Sequence, residues 1–220
     1  SNIGVGAGKG PRNLSEVVHF GLIMPKKGVE QVVELSRLIK SAGLSLQVRI
    51  IGKAPLRFAD YLARLRKDTA HLPIIWDLDL SEEQVADKLA EASIAYLPYP
   101  DGASDRRTTL KAALVNGLVV LTTGSSQTPH SLGRTVKLCA TAEEALRAIR
   151  HLLQHPYEMA SMSTAAACFG KKYTWERIAE MHLRVYQGVL RQKVSYRQIQ
   201  PIHSQLDATV AIQSTDSEPL

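Results

Sequence analysis

Residues 93–123 read SIAYLPYPDGASDRRTTLKAALVNGLVVLTT. Ile94 to Leu97 spells a short buried strand, and Pro98 and Pro100 stop it. A polar loop follows, and then a helix from Thr108 to Val115. Asn116-Gly117 closes that helix, the glycine accepting the left-handed conformation of a helix C-cap. Leu118 to Thr122 is a second apolar strand. The loop sets Asp101, Ser104, Asp105, Arg106 and Arg107 directly before a helix N-terminus, where free backbone N–H groups and the helix dipole favour an anion. Two cations beside that terminus oppose the dipole unless an anion joins them. With Thr108 and Thr109 next to them, the stretch reads as a phosphate seat.

The same strand–helix alternation extends outward in both directions. Apolar strands are predicted at 17–20, 46–51, 73–76 and 136–139. Helices are predicted at 29–39, 58–66, after the Ser81…Gln84 capping box, after the Thr141…Glu144 capping box, at 158–167 and at 175–191. Pro156 ends the second capped helix. Regular β-then-α order implies an α/β fold, a Rossmann-like doubly wound parallel sheet of about six strands in one domain. In such sheets ligands sit outside the carboxyl ends of the strands. Three segments are expected: residues 1–16 as an interdomain linker, 17–192 as the folded domain, and 193–220 as a tail whose polar composition favours flexibility. The glycines from Gly4 to Gly10 do not make a phosphate loop. The Walker pattern would require Gly at position 3 and Ser or Thr at position 10, which are Ile3 and Gly10.

Composition narrows the partners. In 220 residues, 45% of them apolar, no run approaches the roughly 20 apolar residues of a membrane helix. No secretory leader is legible at the start of the sequence. The two cysteines, Cys139 and Cys168, lie in apolar surroundings without metal-ligand spacing. They read as buried thiols of a reducing, cytoplasmic compartment. A net charge of +6 suits an anionic ligand, and would also suit peripheral contact with an anionic membrane. Nucleic acid is disfavoured: no nucleic-acid module is present, and aromatics make up only 5% of the chain. His151 and His155 stand one helical turn apart without the glutamate of a zinc motif, so they read as surface histidines and no metal site is expected.

Several segments, in order, resemble the C-terminal, donor-binding domain of the retaining GT-B glycosyltransferases (group 1, family 4-like). Phe20-Gly21 with Lys27-Gly28 resembles the first strand and its phosphate-contacting lysine. Ile50-Ile51-Gly52 resembles the strand that ends in glycine. The segment from Ala90 to Pro98, then Leu110 to Thr122, is similar to the strand, helix and Val-Val strand that hold the donor. Tyr173-Thr174-Trp175-Glu176 resembles the start of the last helix. The resemblance covers residues 20–190.

It implies a nucleotide-diphosphate sugar as donor substrate, transfer with retention, no cofactor and no required metal. It also implies an acceptor that the sequence does not identify (a glycan, a lipid-linked molecule or a small molecule) and a separate N-terminal acceptor domain that this chain lacks. Isolated, the chain is expected to bind donor weakly and to transfer nothing. The family places the donor diphosphate near Gly21 and Lys27, the nucleobase near Gly52, Trp76, Asp77 and Leu78, and the transferred sugar near Asp101, Gly102, Ala103 and Ser104. Asp101 and Ser104 are the catalytic candidates on this basis.

Two departures stand out. Leu22 occupies the place of the family's diphosphate arginine, and Ser104 and Ala112 occupy the places of its two glutamates. The expectation is that Arg106 or Arg107 restores the lost cation, with the Thr108 and Thr109 amides on the diphosphate. Two other readings compete. A nucleotide-sugar 2-epimerase shares the fold, and a non-catalytic nucleotide-sugar-binding domain is favoured by the missing glutamates.

Overall fold

The computed structural model describes residues 3–8, 11–133 and 135–199, with side chains as far as Arg191. The chain runs β1 (Asn13–Leu22), α1 (Val29–Ser41), β2 (Gln47–Lys53), α2 (Ala59–Asp68), β3 (Ile74–Leu78), α3 (Glu82–Glu91), β4 (Ala92–Leu97), α4 (Thr108–Val115), β5 (Val119–Thr122), α5 (His130–Gly133), β6 (Lys137–Leu138), α6 (Ala142–Gln154), α7 (Pro156–Gly170) and α8 (Trp175–Ile199). All strand pairs are parallel, in the order β3-β2-β1-β4-β5-β6. The sheet grows one way from β1 and the other way from β4. The chain therefore leaves a crevice above the carboxyl ends of these two strands, the usual ligand position in a doubly wound sheet.

Strand alternation sorts the core into two layers. Val17, Val48, Ile50, Ile94, Tyr96, Val119 and Leu121 face α1 and α6, meeting Val32, Leu35, Ile39, Ala145, Ile149 and Leu152. Val18, Ile51, Ala95, Leu97 and Val120 face the other way, toward Val85 and Leu89 of α3, Leu110 and Leu114 of α4, and Ala166 of α7. Every residue of β4 and β5 is buried, as expected of parallel strands covered on both faces. Each fully buried branched aliphatic in these layers contributes about 1.5–3 kcal/mol of apolar transfer.

Two boundaries differ from the sequence expectation. β1 begins at Asn13, and the glycine-rich segment before it is packed. The Gly6 amide donates to Asn116 Oδ1 at 2.9 Å, and Asn116 Nδ2 donates back to the Gly4 carbonyl at 2.9 Å. A β-carbon on Gly6 would lie 2.1 Å from the Ala86 carbonyl oxygen, so glycine is required where the segment crosses α3. Arg12 then donates to the carbonyls of Ala92, Gly117 and Asn116 at 3.2, 2.8 and 2.6 Å. The glycines here serve close approach to the middle of α3 and the end of α4, which composition alone does not distinguish from flexibility.

At the other end, the compact unit closes at Thr174, and a second unit begins at Trp175. Taken by itself, that unit's described part is the 25-residue helix α8, which runs eight residues past the expected stop at Arg191. The remainder of the expected tail, 200–220, lies outside the described residues. Among the described residues, no helix is long and apolar enough to cross a membrane.

The cysteines split. Cys139 is buried, and desolvation pushes its thiol up to about 11, whereas Cys168 is exposed on α7. The expectation of two buried thiols is corrected for Cys168, because α7 turns that position outward.

Candidate functional site

The site is assembled by a close approach of two loops. Gly28, before α1, has φ +85°, and a β-carbon there would lie 1.7 Å from the Pro98 carbonyl oxygen. Only glycine lets the β1–α1 loop cross the end of β4 at this distance. The crossing sets Lys27 beside Tyr99, Asp101 and Arg107 around one hollow.

Arg107 is the N-cap residue of α4 and supplies no side-chain cap. The first amides of that helix, Thr108 and Thr109, therefore have no intrahelical acceptor. The Tyr99 hydroxyl shares a hydrogen bond with Thr109 Oγ1 at 2.8 Å. Tyr99 is 9% exposed, and its burial lifts the phenol to about 12, so it stays neutral. The Arg107 guanidinium lies 4.7 Å from the centre of the Tyr99 ring and pairs with Asp101. Slight desolvation favours the protonated Asp101 carboxyl, but the residue's own amide, Arg107 and Lys27 outweigh it and hold the group below its ordinary value.

Around these groups is a cavity of about 180 Å³. The end of β1 (His19, Phe20, Gly21, Leu22), Lys27, Tyr99, and the start of α4 (Arg106, Arg107, Thr108, Thr109) line it. A second cavity of about 290 Å³ shares Phe20, Gly21, Leu22 and Thr109. Its walls are apolar, from Ile3, Ile51, Leu80 and Val85, and its rim carries Lys53, Asp79 and Glu82. Gly52 lies at its floor, where a β-carbon would sit 2.1 Å from the Gly21 carbonyl oxygen. A cationic cavity bordered by helix amides thus adjoins an apolar one. That pairing fits a ligand with an anionic centre and a flat or apolar end. Among the described residues, no three His, Cys, Asp or Glu side chains converge on a common point.

The structure gathers Gly21, Lys27, Arg106, Arg107, Thr108 and Thr109 around the first cavity and places Gly52 in the second. The rest of the expected nucleobase region goes elsewhere. Trp76 and Leu78 pack against the α1-side core, and Asp77, on the opposite face of β3, accepts from Arg49 at 2.6 Å while Arg49 also holds Glu16 at 2.8 Å. The pleat turns these three side chains toward the two faces of the sheet, and none of them lines either cavity. Lys53, Asp79 and Leu80, just past the strand ends, stand there in their place.

The expected sugar region also divides. Asp101 is at the mouth, in ion pair with Arg107. Gly102 (φ +83°) and Ala103 are buried, and Ser104 lines neither cavity, its carbonyl instead accepting the Arg107 amide at 3.1 Å. Ala112, at the family's second glutamate position, is fully buried in the core.

Four residues lining the first cavity, the polar His19 and Tyr99 and the apolar Phe20 and Leu22, had no place among the expected site residues. A histidine inside an otherwise apolar strand, two residues before Gly21, was the available signal. His19 is 3% exposed, and its Nδ1 bonds to the Tyr96 carbonyl at 3.0 Å. Burial lowers its pKa to about 4 against the smaller opposing effect of that bond, so the ring is neutral.

The architecture recurs in solved structures. The C-terminal domain of the glycosyl transferase group 1 family protein LpcC from Francisella tularensis superposes with a TM-score of 0.64 at 13% identity, over 79% of this chain and 97% of that one. The chain has the fold of a GT-B C-terminal domain. Anabaena HepE, in complex with UDP, matches this GT-B domain with a TM-score of 0.65 at 12% identity, over 80% of the present chain. WaaG, a glycosyltransferase involved in lipopolysaccharide biosynthesis, matches with a TM-score of 0.55 at 20% identity over 74%. The GT-B domain described here spans 49% of the HepE chain and 44% of the WaaG chain. No family model and no curated sequence matches the chain.

Proposed function

We propose that this chain is the donor-binding domain of a glycosyltransferase, holding a nucleotide-diphosphate sugar across the two adjoining cavities. The observation that carries the reading is the 180 Å³ cavity at the β1/β4 crevice, where Lys27, Arg106, Arg107 and the uncapped start of α4 converge. The diphosphate sits there, and the nucleobase enters the apolar cavity beyond Gly21 and Gly52. Departure of the sugar from its diphosphate builds negative charge on the phosphate oxygens. Fixed cations and helix amides aimed at that charge lower the barrier, and they do so without a metal ion. Arg107 is the principal ligand: its planar fork suits two phosphate oxygens, and its Nε is buried with no partner. The UDP complex of HepE supports a uridine nucleotide as the first donor to try. Acceptor binding is left to polypeptide outside this chain, so the chain alone transfers no sugar.

A second reading has its own observation. With Ala112 buried and Ser104 outside both cavities, no carboxylate stands at either family glutamate position. The same site would then serve nucleotide-sugar binding without transfer.

Calorimetry of the chain against a panel of nucleoside diphosphates and nucleotide sugars tests the shared claim. Binding of at least one, weakened in Arg107→Ser, is expected; no heat with any member contradicts it. Product analysis with the acceptor domain restored separates transferase from binding domain.

A further inference from the structure

Among the described residues, four buried side-chain polar atoms have no hydrogen-bond partner, and two of them, His19 Nε2 and Arg107 Nε, belong to residues lining the same cavity. Buried polar atoms are almost always paired, so two orphans around one cavity mark atoms waiting for a ligand. Arg107 is already assigned to the diphosphate. His19 is not assigned by anything in the family resemblance or the fold, and its chemistry differs from that of the cations around it.

The ring is fixed from behind. Nδ1 meets the Tyr96 carbonyl of β4, so Nδ1 carries the proton and donates, and Nε2 presents a bare lone pair. Nε2 lies beside Gly21, 3.8 Å from where a β-carbon on that glycine would sit. Lys27 from the β1–α1 loop, Arg106 and Arg107 from the β4–α4 loop, and the hydroxyls of Tyr99 and Thr109 complete the surround. No carboxylate lines this cavity; Asp101 stands on the outer side, paired with Arg107. Burial holds the imidazole neutral. A bare lone pair repels a fully ionised phosphate oxygen, so the two can meet only across a proton.

We propose that His19 is a ligand-contacting residue of this cavity, its Nε2 binding a phosphate oxygen through a proton taken up from solvent when the ligand enters. The phosphate neutralises the surrounding cations and supplies the acceptor that the imidazolium needs. His19 passes from a buried neutral ring to a hydrogen-bond donor, and one proton joins the complex. The inference rests on the donor-site reading above and adds to it a proton-linked affinity. Among the groups around the cavity, Tyr99 titrates far above the working range, and the Asp101 carboxyl is held low. A diphosphate diester such as that of UDP-glucose has no proton of its own to gain near neutrality, so its uptake reports the protein.

Calorimetry with UDP-glucose at pH 6, in two buffers of different ionisation enthalpy, measures that proton. Close to one proton is expected, with affinity strengthening by up to about tenfold per unit as pH falls from 7 to 5. His19→Gln offers an amide donor that needs no proton. It is expected to bind with zero uptake and a flat pH profile, while His19→Leu weakens binding at pH 6 about tenfold. Nitrogen chemical shifts of His19, read by NMR in the wild-type chain, should change from the one-proton to the two-proton form on saturation. Binding without proton uptake, or an equal pH slope in His19→Gln, overturns the inference and leaves the donor site standing. Pyrophosphate is the control: uptake with pyrophosphate but no binding of UDP-glucose supports His19 and contradicts the nucleotide-sugar reading. Binding of neither probe overturns both.

Discussion

The starts of α3 and α6 differ from the starts of α1 and α4. Ser81 accepts the Gln84 amide, with Gln84 reaching back to the Ser81 amide, and Thr141 accepts the Glu144 amide while Glu144 reaches the amide of Ala140. Both of these helices satisfy their own first turns. Those of α1 and α4 begin at Gly28 and Arg107 with no side-chain cap, and both lie at the β1/β4 crevice. Absence of a cap is not sufficient by itself, since α2 continues from a 3-10 turn and α7 starts on Pro156. What sets α4 apart is that the uncapped start is ringed by Lys27, Arg106 and Arg107 and by the orphaned atoms of His19 and Arg107. The fold closes its polar groups where it needs only stability and leaves them open where a ligand can complete them.

Four experiments would break or sharpen this contrast. The largest effect is acid sensitivity of the empty site. His19 is held near 4 in the folded chain against an ordinary value of 6.5. The unfolded chain therefore takes up a proton that the folded chain refuses, and stability present above pH 6.5 is lost as pH falls toward 4. The loss amounts to roughly 3 kcal/mol from this residue. Urea unfolding at stepped pH, with His19→Gln as reference, should show the difference; equal pH curves would refute it.

Arg107→Ser comes next, because it converts an open helix start into a capped one. A serine cap contributes about 1 kcal/mol, offsetting the lost contacts with Asp101 and Tyr99, so stability should stay within about 1 kcal/mol of wild type. Nucleoside diphosphate affinity should fall about 10–100-fold by calorimetry. A retained affinity would remove Arg107 from the site.

Gly21→Ala is a smaller probe. A β-carbon there would meet only His19 Nε2 at 3.8 Å and Thr109 Cγ2 at 3.9 Å, ordinary contacts. The chain should fold with an unchanged melting temperature, yet the methyl projects between two cavity residues and should weaken diphosphate binding about tenfold. Ser81→Ala is the converse, costing about 1 kcal/mol of stability with no change in affinity. If it weakened binding instead, the division between structural and ligand-bearing helix starts would fail.

Much of the fold was legible because its signals are local and periodic. The Ser81 and Thr141 caps, the proline stops at 98 and 100, Gly117 with φ +68°, and the apolar strands each declare an element without help from the rest of the chain. The expected alternation of strand and helix is the observed one except for the four-residue α5 (His130–Gly133), which was not expected. The crevice was also legible as a place, since ligands in this sheet type collect at the strand ends.

The individual site residues were harder to read, because their roles depend on which way a side chain turns. Trp76, Asp77 and Leu78 lie at the correct strand end, but the pleat commits all three to the sheet faces, and the next two residues, Asp79 and Leu80, reach the cavity. Ser104 sits in the right loop, but Gly102 and Ala103 fold inward and carry it away from the opening. His19 carried a signal, a polar residue in an apolar strand, but not its meaning. Its strand position suggests core packing, and only the pairing of β1 with β4, which brings the Tyr96 carbonyl to Nδ1, shows that its other nitrogen is buried without a partner. The packed segment before β1 was missed because Gly4 and Gly6 look the same in composition whether they flex or approach Asn116 and Ala86.

The central claim is that a diphosphate occupies the crevice between β1 and β4. Titration of the nitrogen-15-labelled chain with UDP, followed by amide chemical shifts, tests it most directly. The amides of Gly21, Thr108 and Thr109 should show the largest shifts, with those at the starts of α3 and α6 unmoved. Saturating UDP that leaves Gly21, Thr108 and Thr109 unperturbed would contradict the account.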